Sequence, residues 1–368
     1  MKNYWRYLCL GFFGLVLAGC EARSASPVTA TKIVSGLDHP WSMAFLPEDE
    51  ILVTERGGRL RSIKKGKLSP PISGVPEVYA QGQGGLLGIA AHPQFAENRL
   101  LYLAYSGAGK DGASTELVRA QYQNGQLSNL QKIFVASPKV QTAHHFGGRL
   151  LFDKQGYLYL SLGDRGQQDL AQDRSNHAGG VVRLKEDGNV PETNPFRGKA
   201  GLAPELYTYG HRNVQGIALN PSNGQVWTHE HGPQGGDEIN ILKAGANYGW
   251  PVITYGEQYG GGRVGEGKTQ QAGMEQPMHY WTPSIAPSGM TFYTGNKYSG
   301  WNGNLFVGSL KFAKLVRLTL VGGKVAAEES LLEGEIGRIR DVQQGPDGYL
   351  YLLNDESNGG LYRLEPSQ

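Results

Sequence analysis

Seven short polar clusters carry the side chains of this chain that could do chemistry. They are Gly82–Gly88 with Gln83, His144–Arg149, Gly163–Gly166, Gly210–Gly216 with Arg212 and Asn213, His229–Glu238, Ser309–Lys311 and Arg338–Asp341. An imidazole titrates near neutrality, so His145 suits general-base work, although an exposed histidine without partners is an ordinary surface group. His144 and His145 are adjacent, and at a strand end only one of them can face a central site. Arg212, Lys311, Arg338 and Arg340 are cations in three of the clusters. Brought together they would suit an anionic ligand, and the planar guanidinium fork favours a polycarboxylate; kept apart they are solvated surface charges.

The run His229-Glu230-His231 lacks the helical H-E-x-x-H spacing, and a strand would turn Glu230 away from both histidines, which argues against zinc. Gly232–Glu238 has a different character. Gly232 and Pro233 expose main-chain carbonyls, and Asp237 and Glu238 add carboxylates, a hard oxygen set suited to calcium, unless the stretch is simply a glycine-rich loop. No G-x-S-x-G elbow, Walker loop or strand-to-helix G-x-G-x-x-G occurs, which argues against a serine hydrolase or a nicotinamide enzyme.

Such scattered clusters need a scaffold that gathers them. Of 368 residues, 54 are Gly and 19 are Pro, a composition that disfavours a helical bundle and favours a turn-rich all-β fold. Six segments repeat one shape, an apolar stretch, a turn and an alternating apolar strand: Met43 to Val53, Ile89 to Leu103, Leu150 to Leu160, Ile217 to Trp227, Met290 to Val307 and Val342 to Leu352. Equivalent positions Leu52, Leu101, Leu158, Val226, Leu305 and Leu350 recur every 45 to 79 residues. One four-stranded blade plus a functional loop fits each unit, so the expected fold is a six-bladed β-propeller with its site at one mouth of the central channel. A β-sandwich or solenoid is the alternative.

The beginning of the chain reads as an export signal. Lys2 and Arg6 precede an apolar run that ends in Leu17-Ala18-Gly19-Cys20, too short to span a bilayer and resembling a bacterial lipobox. The expected organisation is a signal peptide over 1–19, a lipidated Cys20 with a tether over 20–31, and one catalytic propeller over 32–366. Glu21 after the cysteine matches an outer-membrane lipoprotein facing the periplasm. Losing Lys2 and Arg6 turns 35 basic and 33 acidic residues into 33 of each. A neutral body gives no footprint for nucleic acid and leaves the lipid as the membrane contact. Cys9 and Cys20 are the two cysteines, so no disulfide staples the body.

Read together, Gly82-Gln83-Gly-Gly-Leu-Leu-Gly88, His145 with Gly148-Arg149-Leu150, Gly163-Asp164, Val182–Pro195, Gly210–Gly216, Gly232–Asn240 and Asn247-Tyr248-Gly-Trp-Pro251 occur in a recognisable order. The chain resembles the soluble pyrroloquinoline quinone (PQQ) dependent glucose dehydrogenases, and more closely the aldose sugar dehydrogenases, over residues 32 to 364. The resemblance implies a six-bladed propeller that oxidises aldose sugars at the anomeric carbon, as a monomer or homodimer handing electrons to an unidentified acceptor. It implies that His145 takes the proton of the anomeric hydroxyl while hydride passes to PQQ, with Gln83 beside the quinone and Arg212 stabilising negative charge on its oxygen. It further implies a cofactor clamp of Asn213, Lys311, Arg338 and Arg340, a covering Trp281, one Ca2+ on the carbonyls of Gly232 and Pro233, and a second near Glu238 and Tyr248. His144 stands where the glucose dehydrogenases have an aspartate, which opens the question of what orients the base. The loop Gly256–Gly267 is unmatched, which implies a more open pocket. A calcium-dependent propeller lactonase and a non-catalytic sugar- or protein-binding propeller are the competing readings.

Overall fold

Short β-branched and aromatic runs separated by Gly, Pro, Asn and Asp leave no stretch long enough for a packed helix, and the chain resolves into strands. A computed structural model describes Met1 and residues 27–367. The expected signal peptide and Cys20 lie outside the described residues. Six four-stranded antiparallel sheets form a six-bladed propeller, and each inner strand packs against the next around a common axis. Blade 1 comprises Pro40–Leu46, Glu50–Glu55, Arg59–Lys64 and Lys67–Leu68; blade 2, Leu86–Ala91, Leu100–Gly109, Gly112–Gln123 and Gln126–Val135. Blade 3 comprises Leu150–Phe152, Leu158–Ser161, Val181–Leu184 and Leu206–Thr208; blade 4, Val214–Leu219, Val226–Glu230, Asp237–Ile241 and His279–Trp281. Blade 5 comprises Pro287–Phe292, Leu305–Ser309, Lys314–Val321 and Lys324–Leu331. Blade 6 takes Ile339–Gln344, Leu350–Asn354 and Gly359–Pro366 from the end of the chain and Val28–Leu37 from its beginning.

The repeat seen in the sequence is the first two strands of every blade. Leu101, Leu158, Val226, Leu305 and Leu350 each pair with the last residue of their inner strand, and Leu52 sits two residues further along in blade 1. The ring closes by pairing Val28 with Pro366 and Leu37 with Gly359. This moves the start of the propeller from residue 32 to Val28. Residues 28–31, expected in the tether, form the edge of blade 6, where Val28 is buried among the aromatic and aliphatic side chains of blades 5 and 6.

One buried side chain ties the blades together on the axis. Arg149, at the head of the blade 3 inner strand, donates from Nη1 to Asp341 Oδ1 of blade 6 at 2.8 Å, from Nη2 to Arg340 O at 2.9 Å and from Nε to Gln215 O of blade 4 at 2.9 Å. Its guanidinium lies 4.1 Å from the ring centre of Trp41 in blade 1, and the Met43 N–H donates to Asp341 Oδ2 at 3.0 Å. Blade 5 leaves room with Gly289, where a Cβ would come within 2.2 Å of Asp341 Oδ1. Burial penalises both charges, raising the Asp341 carboxyl and lowering the Arg149 guanidinium, so the pair depends on its complete set of hydrogen bonds. Replacing Asp341 by Asn strands the guanidinium. The expected loss is about 3–5 kcal/mol of unfolding free energy, read as a lowered midpoint in denaturant and thermal melts.

Candidate active site

The loops that lead into the inner strands and those that follow the second strands meet at one mouth, as propeller topology requires. They enclose a cavity of ≈ 900 Å³ whose wall includes Arg56, Gln83, Asn213, Lys311, Arg338 and Arg340. Five of these were singled out in the sequence, and blades 2, 4, 5 and 6 bring them together. Arg56, from the loop after the second strand of blade 1, was missed because no motif surrounds it. Arg340 donates from Nη2 to Asp355 Oδ2 at 2.5 Å, whereas its buried Nε has no partner among the described residues. Asp355 also meets Arg338 at 3.4 Å and His39 Nδ1 at 2.8 Å. Burial alone would raise its pKa, but Arg340, His39 and Arg338 hold it far below the usual carboxylate range. One carboxylate therefore shares several cations, and the wall keeps positive charge directed at the cavity.

His145 stands at the edge of this cavity, in a loop rather than at a strand end. Its φ of 53° is left-handed, and its backbone N–H donates to Gln83 Oε1 at 2.8 Å. The turn is possible because Gly163 lies beneath it, where a Cβ would come within 2.2 Å of the His145 carbonyl oxygen. The orienting carboxylate is Asp164, whose Oδ1 meets His145 Nδ1 at 2.6 Å. Asp164 is itself fixed by the Gly166 N–H at 2.7 Å and by the Trp250 indole N–H at 2.8 Å. The question raised by His144 is thereby answered from the loop that follows the second strand of the same blade. Nδ1 carries the proton toward Asp164, which leaves Nε2 to accept one. Burial lowers the His145 pKa, and Asp164 opposes that shift without cancelling it.

Trp281, expected to cover the site, does not reach the mouth. Trp281 is buried in the outermost strand of blade 4, with its indole N–H donating to Glu328 Oε2 at 2.9 Å, and it covers nothing at the mouth. Trp250 instead holds Asp164 and lies 5.4 Å from the Arg212 guanidinium carbon. Arg212 sits beside the main cavity and donates to Gly232 O at 2.8 Å. Gly232, Glu238 and Tyr248 line a small adjoining cavity together with Glu230, and Pro233 lines the main one.

That small cavity is rich in oxygen. Glu230 accepts from His211 Nδ1 at 2.7 Å, from the Arg212 N–H at 2.5 Å and from Asn240 Nδ2 at 3.2 Å. The same amide also donates to Glu238 at 3.2 Å, and buried Asn240 Oδ1 has no partner among the described residues. Burial, reinforced by the charge of Glu230, pushes the Glu238 carboxyl well up. Asp237 does not join this set: its carboxylate is taken by Ser284 Oγ and by the N–H groups of Gly232, Ile285 and Ala286. The Tyr248 hydroxyl is likewise spent on Ile241 O and the Lys243 N–H, leaving its main chain for a cation. Among the described residues no group of three or more His, Cys, Asp and Glu side chains is arranged around a metal position, so a cation here would rely on main-chain carbonyls as well. His231 donates from Nε2 to Pro287 O at 2.6 Å and is pushed down to about 3 by burial, while His229 is fully buried under Gly216.

A six-bladed propeller with a carboxylate-held imidazole and converging cations at one mouth defines an enzyme built on a propeller, with its chemistry at the axis. The chain belongs to the glucose/sorbosone dehydrogenase family, whose profile matches residues 37–363. It is 45% identical over 350 residues to the aldose sugar dehydrogenase YliI of Escherichia coli, covering 93% of this chain and 94% of that one. A crystal structure of a glucose dehydrogenase superposes with a TM-score of 0.89 at 48% identity, covering 92% of this chain and all of the other. The PQQ-bound aldose sugar dehydrogenase of Streptomyces coelicolor gives a TM-score of 0.76 at 30% identity over 93% of this chain and 100% of that one.

The opposing influences on His145 make a prediction that needs no substrate. Its imidazole should titrate below 6.5, because burial outweighs Asp164, and lower still in Asp164→Asn, where the raising influence is gone. Imidazole nitrogen shifts followed by NMR against pH check both statements, and an Asp164→Asn value above that of the unaltered protein would contradict them.

Proposed function

We propose that this chain is a PQQ- and calcium-dependent quinoprotein that oxidises aldose sugars at the anomeric carbon to lactones. The observation that carries this reading is the His145–Asp164 pair set at the edge of a cationic cavity large enough for a flat tricarboxylate and a sugar together. The unpartnered Nε of Arg340 suits a cofactor carboxylate, and Lys311, Arg338 and Asn213 would complete the clamp, with Gln83 alongside. The paired Glu230 and Glu238 carboxylates with the free Asn240 Oδ1 and neighbouring carbonyls suit calcium, and the Gly232 and Pro233 carbonyls suit a second ion next to the cofactor. When bound, PQQ supplies the two-electron acceptor for a hydride, and calcium supplies Lewis acidity beside it.

The protein side of the reaction is proton management and placement. His145 Nε2 takes the proton of the anomeric hydroxyl, so electrons can leave C1 as it becomes the lactone carbonyl carbon. Asp164 stabilises the imidazolium that forms, and Trp250 keeps Asp164 in position. Arg212, close against Trp250 and Tyr259, offers positive charge where negative charge builds up. Tyr259, 72% exposed on the loop Gly256–Gly267, borders the entrance and gives an arriving sugar a face to stack on. We further propose that the processed chain is held by lipid on Cys20 at the periplasmic side of a bacterial envelope membrane.

Purified apoprotein should gain aldose-dependent reduction of an artificial electron acceptor when PQQ and calcium are both supplied. A reconstituted protein inert toward a panel of aldoses would refute the assignment, and cleavage of lactones without PQQ would replace it with hydrolysis. His145→Ala should lower kcat by about 10²–10⁴ while PQQ still binds. Arg340→Met should weaken PQQ about tenfold to a hundredfold in an absorbance titration, since one charged hydrogen-bond donor is removed.

A further inference from the structure

Behind the His145–Asp164 pair lies a third cavity between blades 2 and 3, lined by Ser114, Thr115, Ser137, Arg165 and His177 among others. It leaves ≈ 10 Å³ through which the centre of a water-sized species can move. Arg165 is 3% exposed and Ser114 1%. The Arg165 guanidinium uses only Nη2, toward Thr142 O at 2.6 Å and Ala113 O at 3.3 Å, and lies face-on to Phe146 with its carbon 3.4 Å from the ring centre. Its Nε and Nη1, and Ser114 Oγ, have no hydrogen-bond partner among the described residues.

A buried cation normally carries a bonded counter-ion, because desolvation without one is expensive. The nearest carboxylate in sequence, Asp164, gives its oxygens to His145, Gly166 and Trp250. Two N–H groups and one hydroxyl, all hydrogen-bond donors without an acceptor, therefore adjoin a void sized for a single small species, beside a buried cation that bonds to no carboxylate among the described residues. We propose that this cavity is a site for one halide-sized monovalent anion, chloride in solution, held by Arg165 Nε and Nη1 and by Ser114 Oγ. Larger oxyanions such as sulfate do not fit. The ion bonds the side chain that directly follows Asp164, so the framework of the base is completed by a ligand distinct from cofactor and substrate. The cavity and its donors are independent of the proposed sugar oxidation.

Crystals of the protein grown or soaked in bromide should show an anomalous peak between the Arg165 guanidinium and Ser114 Oγ. Thermal midpoints measured at constant ionic strength should rise as gluconate is replaced by chloride, by linkage, and should not rise when sulfate is used instead. Ser114→Ala, a small change that keeps the packing, should raise the chloride concentration needed for half the effect by about tenfold. Water alone in the cavity of bromide crystals, or equal stabilisation by sulfate and chloride, would overturn the proposal. Neither outcome would bear on whether the mouth binds PQQ, which the absorbance titration reads separately.

Discussion

The guanidinium of Arg149 is the contact on which the rest of the molecule depends. A propeller of separate sheets has no continuous core, and each blade buries its faces only against its neighbours. Arg149 reaches across the axis to Asp341, Arg340 and Gln215 and stacks on Trp41, while Asp341 returns a bond to Met43. Inner strands from opposite sides of the ring thereby share one buried charge pair. Its geometry sets how close they approach, and Gly289 is the concession blade 5 makes to it. Because Arg149 follows His145 by four positions and Arg340 precedes Asp341, the same pair sets the distance between the base and the cationic wall.

Above that neutral plug the charge balance changes. At the mouth, Arg56, Lys311, Arg338 and Arg340 face a cavity to which Asp355 contributes the bonded acid, so a chain with a formal net charge of only +2 concentrates cations in one place. The small cavity beside it does the reverse, pressing Glu230 and Glu238 together under one shared amide. An anion-seeking and a cation-seeking site thus adjoin, with Arg212 between them, bonded to Gly232 on one side and lying against Trp250 and Tyr259 on the other. A large anionic cofactor and a divalent cation would relieve both surpluses at once.

Much of this was legible in the sequence. The first two strands of each blade announce themselves because they are buried on both faces and read as apolar runs around a turn. The outer strands are partly solvated and read as polar, so residues 28–31 passed for tether and outer strands such as Lys324–Leu331 carry no part of the repeat. At the site, residue types with a known chemistry were found, and partners brought in from afar were not. Asp164 was visible in a Gly-Asp motif, but nothing local says that it holds His145 or that Trp250, 86 positions later, holds it. Trp281 and Trp250 are indistinguishable by composition; only the fold shows that one sits on the outermost strand of its blade and the other against the carboxylate that holds His145. The oxygen-rich stretch after Gly232 was recognised, yet Asp237 and Glu238 diverge, because alternate residues of a strand face opposite ways.

The strand Val28–Leu37 completes a blade whose other three strands come from the end of the chain. The ring is therefore sealed like a belt, by its two ends. His39 and Arg56 of blade 1 can stand beside Arg338, Arg340 and Asp355 of blade 6 only after that seal has formed. A partly made or clipped chain offers no finished mouth, so competence to take up a ligand doubles as a check that the molecule is whole.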